Sequence, residues 1–189
     1  MNHYINKLAL TCATAAFITL APATSMAAMG DSLFATGGTI TATFEGSDAG
    51  YDSLLRLTAP GGYDSGYFFP NHSTATGSTF NLGSFVAGTP LDFQLYVLNT
   101  GNTWHVGPAS GNADGIIHAN VVYNFPSTGS TYVGFEDLYG GGDHDYNDHM
   151  FSFTNVAGVV PEPETYAMFM AGLGLMGFMA RRRKSSETY

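Results

Sequence analysis

Between residues 28 and 158 apolar and polar side chains alternate with a period of two, the pattern of strands that bury one face. Thr39-Ile-Thr-Ala-Thr-Phe44 alternates, and in Leu91-Asp-Phe-Gln-Leu-Tyr-Val-Leu98 the residues Leu91, Phe93, Leu95 and Val97 share a face. Ile116 to Tyr123, Thr131 to Phe135 and His149 to Thr154 also read as strands, and shorter candidates are Ser53 to Leu57, Tyr67 to Phe69, Ser78 to Leu82 and Trp104 to Val106. The joints are turn-forming clusters such as Ala59-Pro-Gly-Gly62, Asn99-Thr-Gly-Asn102 and Ser110-Gly-Asn-Ala-Asp-Gly115. No stretch of this region carries helical periodicity. Short strands about ten residues apart predict an all-β domain, a single antiparallel sandwich or jelly roll.

The two ends of the chain follow a different pattern. Met1 to Lys7 is weakly cationic, Leu8 to Ala23 is small and apolar, and Ser25-Met26-Ala27 offers small residues at the −3 and −1 positions. That combination predicts a signal peptide over 1–27. The single cysteine, Cys12, falls inside it, so the mature domain has neither a disulfide nor a thiol ligand. At the other end come Pro161-Glu162-Pro163, an uncharged run from Thr165 to Ala180, and Arg181-Arg182-Arg183-Lys184. The prolines favour an extended, accessible segment, and the basic cluster fixes the cytoplasmic side of a membrane-inserted helix. Sixteen apolar residues reach only about 24 Å, short of a hydrocarbon core of about 30 Å, which suits a transient stop better than a permanent anchor.

This tail, over 159–189, resembles the PEP-CTERM sorting signal of Gram-negative bacteria, with all three parts in order at the C-terminus. The resemblance implies a transient membrane intermediate and recognition by an exosortase. Cleavage near Pro161-Glu162-Pro163 and delivery to the cell surface or the extracellular polymer matrix would follow.

Charge narrows the function of what lies between. From Ala28 to Val160 the one base is Arg56, set against twelve acids, for a formal charge of −11. Such a domain cannot neutralise its carboxylates internally. Nucleic acid is excluded as a partner, because phosphate contacts need Lys and Arg. Divalent cations become the natural counter-ions.

The acids concentrate in Gly134-Phe-Glu-Asp-Leu-Tyr-Gly-Gly-Gly-Asp-His-Asp-Tyr-Asn-Asp148, between two predicted strands. Asp143, Asp145 and Asn147 alternate, Asp148 needs a turn or bulge to join them, and Glu136 and Asp137 can enter from the opposite strand. Crowded carboxylates repel unless a cation or a proton intervenes. A calcium ion, taking six to eight oxygens, would resolve that conflict. The spacing resembles the start of an EF-hand loop, but position six is Asp148 and position twelve is Thr154, so it is not one. A solvated hairpin whose Asp and Asn make Asx turns stays open, as does a transition metal, because His144 sits between two of the acids.

The stretch Gly-Phe-Glu-Asp, a glycine-rich turn and Asp-x-Asp-Tyr-Asn-Asp also resembles domain of unknown function 4114. The likeness is specific over Val133 to Phe153 and looser upstream. It implies a β-rich module ending in this hairpin and a final strand, and it brings no established chemistry.

No nucleophile elbow, phosphate loop or HExxH motif occurs, so the chain is expected not to be an enzyme. Carbohydrate binding is the alternative to a calcium module, a metal-dependent hydrolase coming behind both. Tyr63, Tyr67, Phe68, Phe69 and Tyr139 are candidate sugar platforms, with Trp104 the leading one. His72, His105 and His118 read as isolated surface or strand residues. The expectation is a secreted, non-catalytic, calcium-binding module associated with exopolysaccharide or biofilm.

Overall fold

The computed structural model describes residues 26–127, 129–158 and 169–177. Twelve strands occur there: β1 Met26–Met29, β2 Leu33–Ala35, β3 Gly38–Gly46, β4 Ser53–Ala59, β5 Tyr63–Phe68, β6 Thr79–Phe85, β7 Pro90–Val97, β8 Thr103–His105, β9 Ala119–Tyr123, β10 Ser130–Phe135, β11 His149–Thr154 and β12 Val156–Ala157. They form two antiparallel sheets in the orders β1-β9-β10-β11-β3-β6 and β12-β2-β7-β4-β5, with β8 added along the end of β7.

The alternation read from the sequence decides which faces meet. In β7 Leu91, Phe93, Leu95 and Val97 are buried, in β3 Ile40, Ala42 and Phe44, and in β11 Phe151 and Phe153. Between the sheets Phe93 and Phe153 stack with ring centres 4.0 Å apart, and Phe69 bridges Phe44 (5.8 Å) and Phe151 (6.2 Å). Each fully buried ring contributes about 1.5–3 kcal/mol, which lets a cysteine-free domain stand without covalent staples.

Several expected strands shift at their ends, three of them at positions that matter for the core or the site. Ile116, Ile117 and His118 precede β9 rather than belonging to it, because the Asn112 and Asp114 side chains hold this stretch by bonds to the Ile116 carbonyl and amide. Phe69 lies beyond β5, with a left-handed φ of 53° that turns its ring into the core. Val106 likewise falls one residue outside β8.

Met26 and Ala27 belong to β1, opposite Tyr123 and Val122 of β9, so the expected leader boundary falls within a paired strand. A helix occupies 169–177 with Phe169, Met170, Leu175 and Met176 exposed. Among the described residues no helix is long and apolar enough to cross a membrane. Pro161, Glu162, Pro163, Arg181, Arg182 and Arg183 lie outside the described residues, as does most of the leader.

Candidate metal centre

β10 and β11 pair in register from Ser130↔Thr154 to Phe135↔His149, and residues 136–148 close this hairpin. Glu136 leaves β10 buried, while Asp143 and Asp145 stand exposed on the returning arm. One carboxylate oxygen from each of these three lies within 4.8 Å of the others. The close approach depends on glycine at two places. A Cβ on Gly134 would sit 2.1 Å from the Tyr146 carbonyl oxygen, and one on Gly142 would sit 2.5 Å from Glu136 Oε2. His144 and Tyr146 adopt left-handed φ angles of 62° and 55°, which coils the loop back onto Glu136.

Hydrogen bonds fix Glu136 and Asp145 differently. Glu136 Oε1 accepts the Tyr146 N–H at 2.5 Å. Asp145 accepts from the Asn147 amide N–H at 3.2 Å and from its side-chain NH₂ at 2.5 Å, so Asn147 orients Asp145. Asp148 lies on the inner side: its Oδ2 accepts the Asp137 N–H at 2.9 Å, and its own N–H donates to the Phe135 carbonyl at 3.1 Å. Asp137 is 2 % exposed, and its Oδ2 is buried without a hydrogen-bond partner. The six acidic or amide residues picked out in the sequence thus divide. Glu136, Asp143 and Asp145 converge, Asn147 braces one of them, and Asp137 and Asp148 form an adjoining pair.

Electrostatically the centre is under load. Burial pushes the Glu136 carboxyl above its ordinary value against the pull of the Tyr146 N–H, and Asp148, Asp143 and Asp145 push it further. Burial also raises Asp137, and the neighbouring Asp148 charge adds to it. Asp148 rises for the same leading reason. The domain's one guanidinium is elsewhere, paired with Asp64. The converging donors are all carboxylate oxygens, the set a hard cation such as calcium takes, and His144 is not among them.

Behind the loop lies a buried support that sequence reasoning missed. His118 is fully buried, with Nδ1 donating to the Glu136 carbonyl at 3.0 Å and Nε2 facing Asp114 Oδ2 at 2.8 Å. Both ring nitrogens thus face oxygen atoms, which fixes the ring between the loop and Asp114. Burial opposes ionisation of Asp114, yet bonds from the Gly140 N–H, His118 and the Ile116 N–H hold it below the usual carboxylate range. The His118 ring stacks on Trp104 at 3.7 Å and 4°, and the indole Nε1–H donates to the Asp137 carbonyl at 2.8 Å.

This corrects the expected role of Trp104. It is 1 % exposed, with one face covered by imidazole, so no sugar ring can stack there. Phe68 and Phe69 are likewise core residues, whereas Tyr67 (49 %) and Tyr139 (70 %) are open to solvent. His118 was expected at the surface or in a strand, and it is neither. The one signal available was Asp114 four residues before His118.

Two known families match the chain, in the regions where its motifs lie. Residues 85–155 match the domain of unknown function DUF4114, which covers β7 to β11 and the whole acidic loop. Residues 159–184 match the PEP-CTERM protein-sorting motif. The C-terminus is a PEP-CTERM tail. The PEP-CTERM tail marks the chain as a target of an exosortase-type enzyme, associated with the membrane and exported towards the surface of a Gram-negative cell. No curated protein and no solved structure matches the chain.

Proposed function

We propose that this chain is a non-catalytic calcium-binding module of the cell surface or extracellular matrix, delivered there by its PEP-CTERM tail. The observation that carries the reading is the convergence of Glu136, Asp143 and Asp145 within 4.8 Å, with no lysine or arginine paired to them among the described residues. Glu136, Asp143 and Asp145 would hold the ion, with Asn147 keeping Asp145 in place. When bound, calcium supplies the positive charge that the loop lacks.

A binding role is favoured over a catalytic one by position. The trio caps a hairpin, whereas two cavities among the described residues, of about 390 and 500 Å³, are lined by other residues. Association with the exopolysaccharide of the matrix is part of this proposal, and the sorting tail supports only export towards the cell surface.

Thermal unfolding of the full-length chain in EDTA and in millimolar calcium tests the reading. Calcium should raise the midpoint, and the double variant Asp143→Ala/Asp145→Ala should lose that rise. An unchanged midpoint in the wild type, or a rise that survives in the double variant, removes calcium from this loop.

A further inference from the structure

The outward side of the second sheet carries a second organised surface, remote in kind from the acidic loop. Along β4 the side chains of Ser53, Leu55 and Leu57 turn inward, which leaves Leu54, Arg56 and Thr58 on the opposite face. Register extends that face across four strands. Tyr67 of β5 lies opposite Arg56, Arg56 opposite Gln94 of β7, and Gln94 opposite His105 of β8. One row along, Thr58 lies between Asp64 and Asp92; one row the other way, Leu54 faces Tyr96. Same-face rows are about 7 Å apart, so three rows give room for a short oligosaccharide.

Chemistry singles this face out from a bland solvated sheet. Tyr67 and Tyr96 bring their rings to 5.3 Å with a 33° tilt, and the Arg56 guanidinium lies 5.4 Å from the Tyr67 ring centre. Arg56, the domain's only base, is held by Asp64 through both Nε (2.8 Å) and an Nη. His105 Nδ1 lies 2.9 and 3.1 Å from the two oxygens of Asp92. The Gln94 amide donates along the face to Asp92 Oδ2 at 2.5 Å and to Thr58 Oγ1 at 3.0 Å, which holds the side chain in place. Rings, amide, imidazole and guanidinium are therefore fixed before anything binds, and preorganisation of that kind lowers the entropy cost of association.

We propose that this face, centred on Tyr67, Tyr96, Arg56, Gln94 and His105, binds a neutral polysaccharide. Sugar rings present an apolar C–H face that stacks on tyrosine, and a rim of hydroxyls that matches the fixed donors and acceptors. Charge selects the class of polymer. The base of this face is already matched by Asp64 and the domain is strongly acidic, so an anionic chain is repelled while a neutral one is not. Thr58 and Asp92 also line the cavity of about 390 Å³, together with Pro60, Pro90 and Val106, so the face deepens at one end to take a terminal sugar. The proposal does not depend on calcium at the hairpin.

Native affinity electrophoresis of the full-length chain tests it, with gels containing β-glucan, galactomannan, xylan, dextran or, as the anionic control, alginate. At least one neutral polymer should retard the wild type. Tyr67→Ala and Gln94→Ala should each weaken that retardation at least tenfold while both variants stay fully folded at the temperature of the gel, as their unfolding curves show. Absence of retardation across the neutral panel, retardation by alginate alone, or retardation untouched by both substitutions overturns the proposal. So does a wild-type dimer in sedimentation that Tyr67→Ala converts to monomer without any polymer effect, because the face would then bind a second copy.

Discussion

Ser53 Oγ and His149 Nδ1 lie 2.8 Å apart in the fully buried space between the sheets, joining β4 of one to β11 of the other. His149 begins the strand that follows the acidic loop, and its ring packs edge-on against Phe44 at 5.5 Å. Its Nε2 is buried without a partner, so the Ser53 contact is the one hydrogen bond that its side chain makes among the described residues. Ser53→Ala should leave both ring nitrogens unpaired and cost about 1–3 kcal/mol. Urea unfolding at pH 8 measures this; a loss under a few tenths of a kcal/mol would show that the inter-sheet bond is not made.

The same residue sets an acid limit. Burial pushes the His149 imidazole down to about 3, against an unfolded value near 6.5. Between those values the unfolded chain binds a proton that the folded chain refuses, so this contribution is whole above pH 6.5 and drains away as pH falls towards 3. The raised carboxyls of Glu136, Asp137 and Asp148 act in the opposite sense, favouring the fold at low pH. His149→Leu therefore isolates the histidine: between pH 7 and 4 the variant should lose less stability than the wild type. Parallel curves for the two would contradict a neutral buried imidazole.

Two glycines of the hairpin separate steric need from conformational need. Gly134 lacks a left-handed φ, yet the Tyr146 carbonyl occupies the place of its Cβ. Gly140 has φ 84° and nothing within 4 Å of a built Cβ. Gly134→Ala must force backbone apart and should cost about 3 kcal/mol or more, at the upper end of overpacking. Gly140→Ala carries the φ penalty alone, about 1 kcal/mol. Calorimetric midpoints of the two variants give the order, and equal losses would refute the steric argument.

Trp104 supplies a built-in probe as the chain's only tryptophan. Its buried indole should emit at short wavelength and resist acrylamide until the protein unfolds. Trp104→Ala should cost about 3–5 kcal/mol, as removal of a large core side chain does. An acrylamide-accessible native indole would restore the surface role that the sequence suggested.

What the sequence carried was local. Period-two alternation marks β3, β7, β10 and β11 because each buries one face over five or more residues. β1, β2 and β12 run two to four residues, too short for a pattern to show. The acidic spacing pointed to the hairpin, but not to the division between the Glu136 trio and the Asp137–Asp148 pair, which depends on the coiling at His144 and Tyr146. Trp104 was misread because burial of its N–H is decided by a carbonyl thirty-three residues further on. Arg56, Gln94 and His105 share a face only through strand register, which periodicity within one strand cannot supply.

Glu136 offers the sharpest separation of charge from shape at the candidate centre. It is buried, one oxygen accepts the Tyr146 N–H, and three other acids oppose its ionisation. Glu136→Gln keeps an acceptor oxygen for Tyr146 and removes the charge. Without divalent cation the variant should equal or exceed the wild type in stability, because a repelled carboxylate has gone. With calcium the order should reverse. At a free ion concentration one hundred times the dissociation constant, the wild type gains about 2.7 kcal/mol by mass action, and a tenfold weaker site gains about 1.4 kcal/mol. Paired unfolding curves in EDTA and calcium read this crossing directly. A variant that is destabilised in EDTA while keeping the full calcium gain would make Glu136 a structural acceptor and not a ligand.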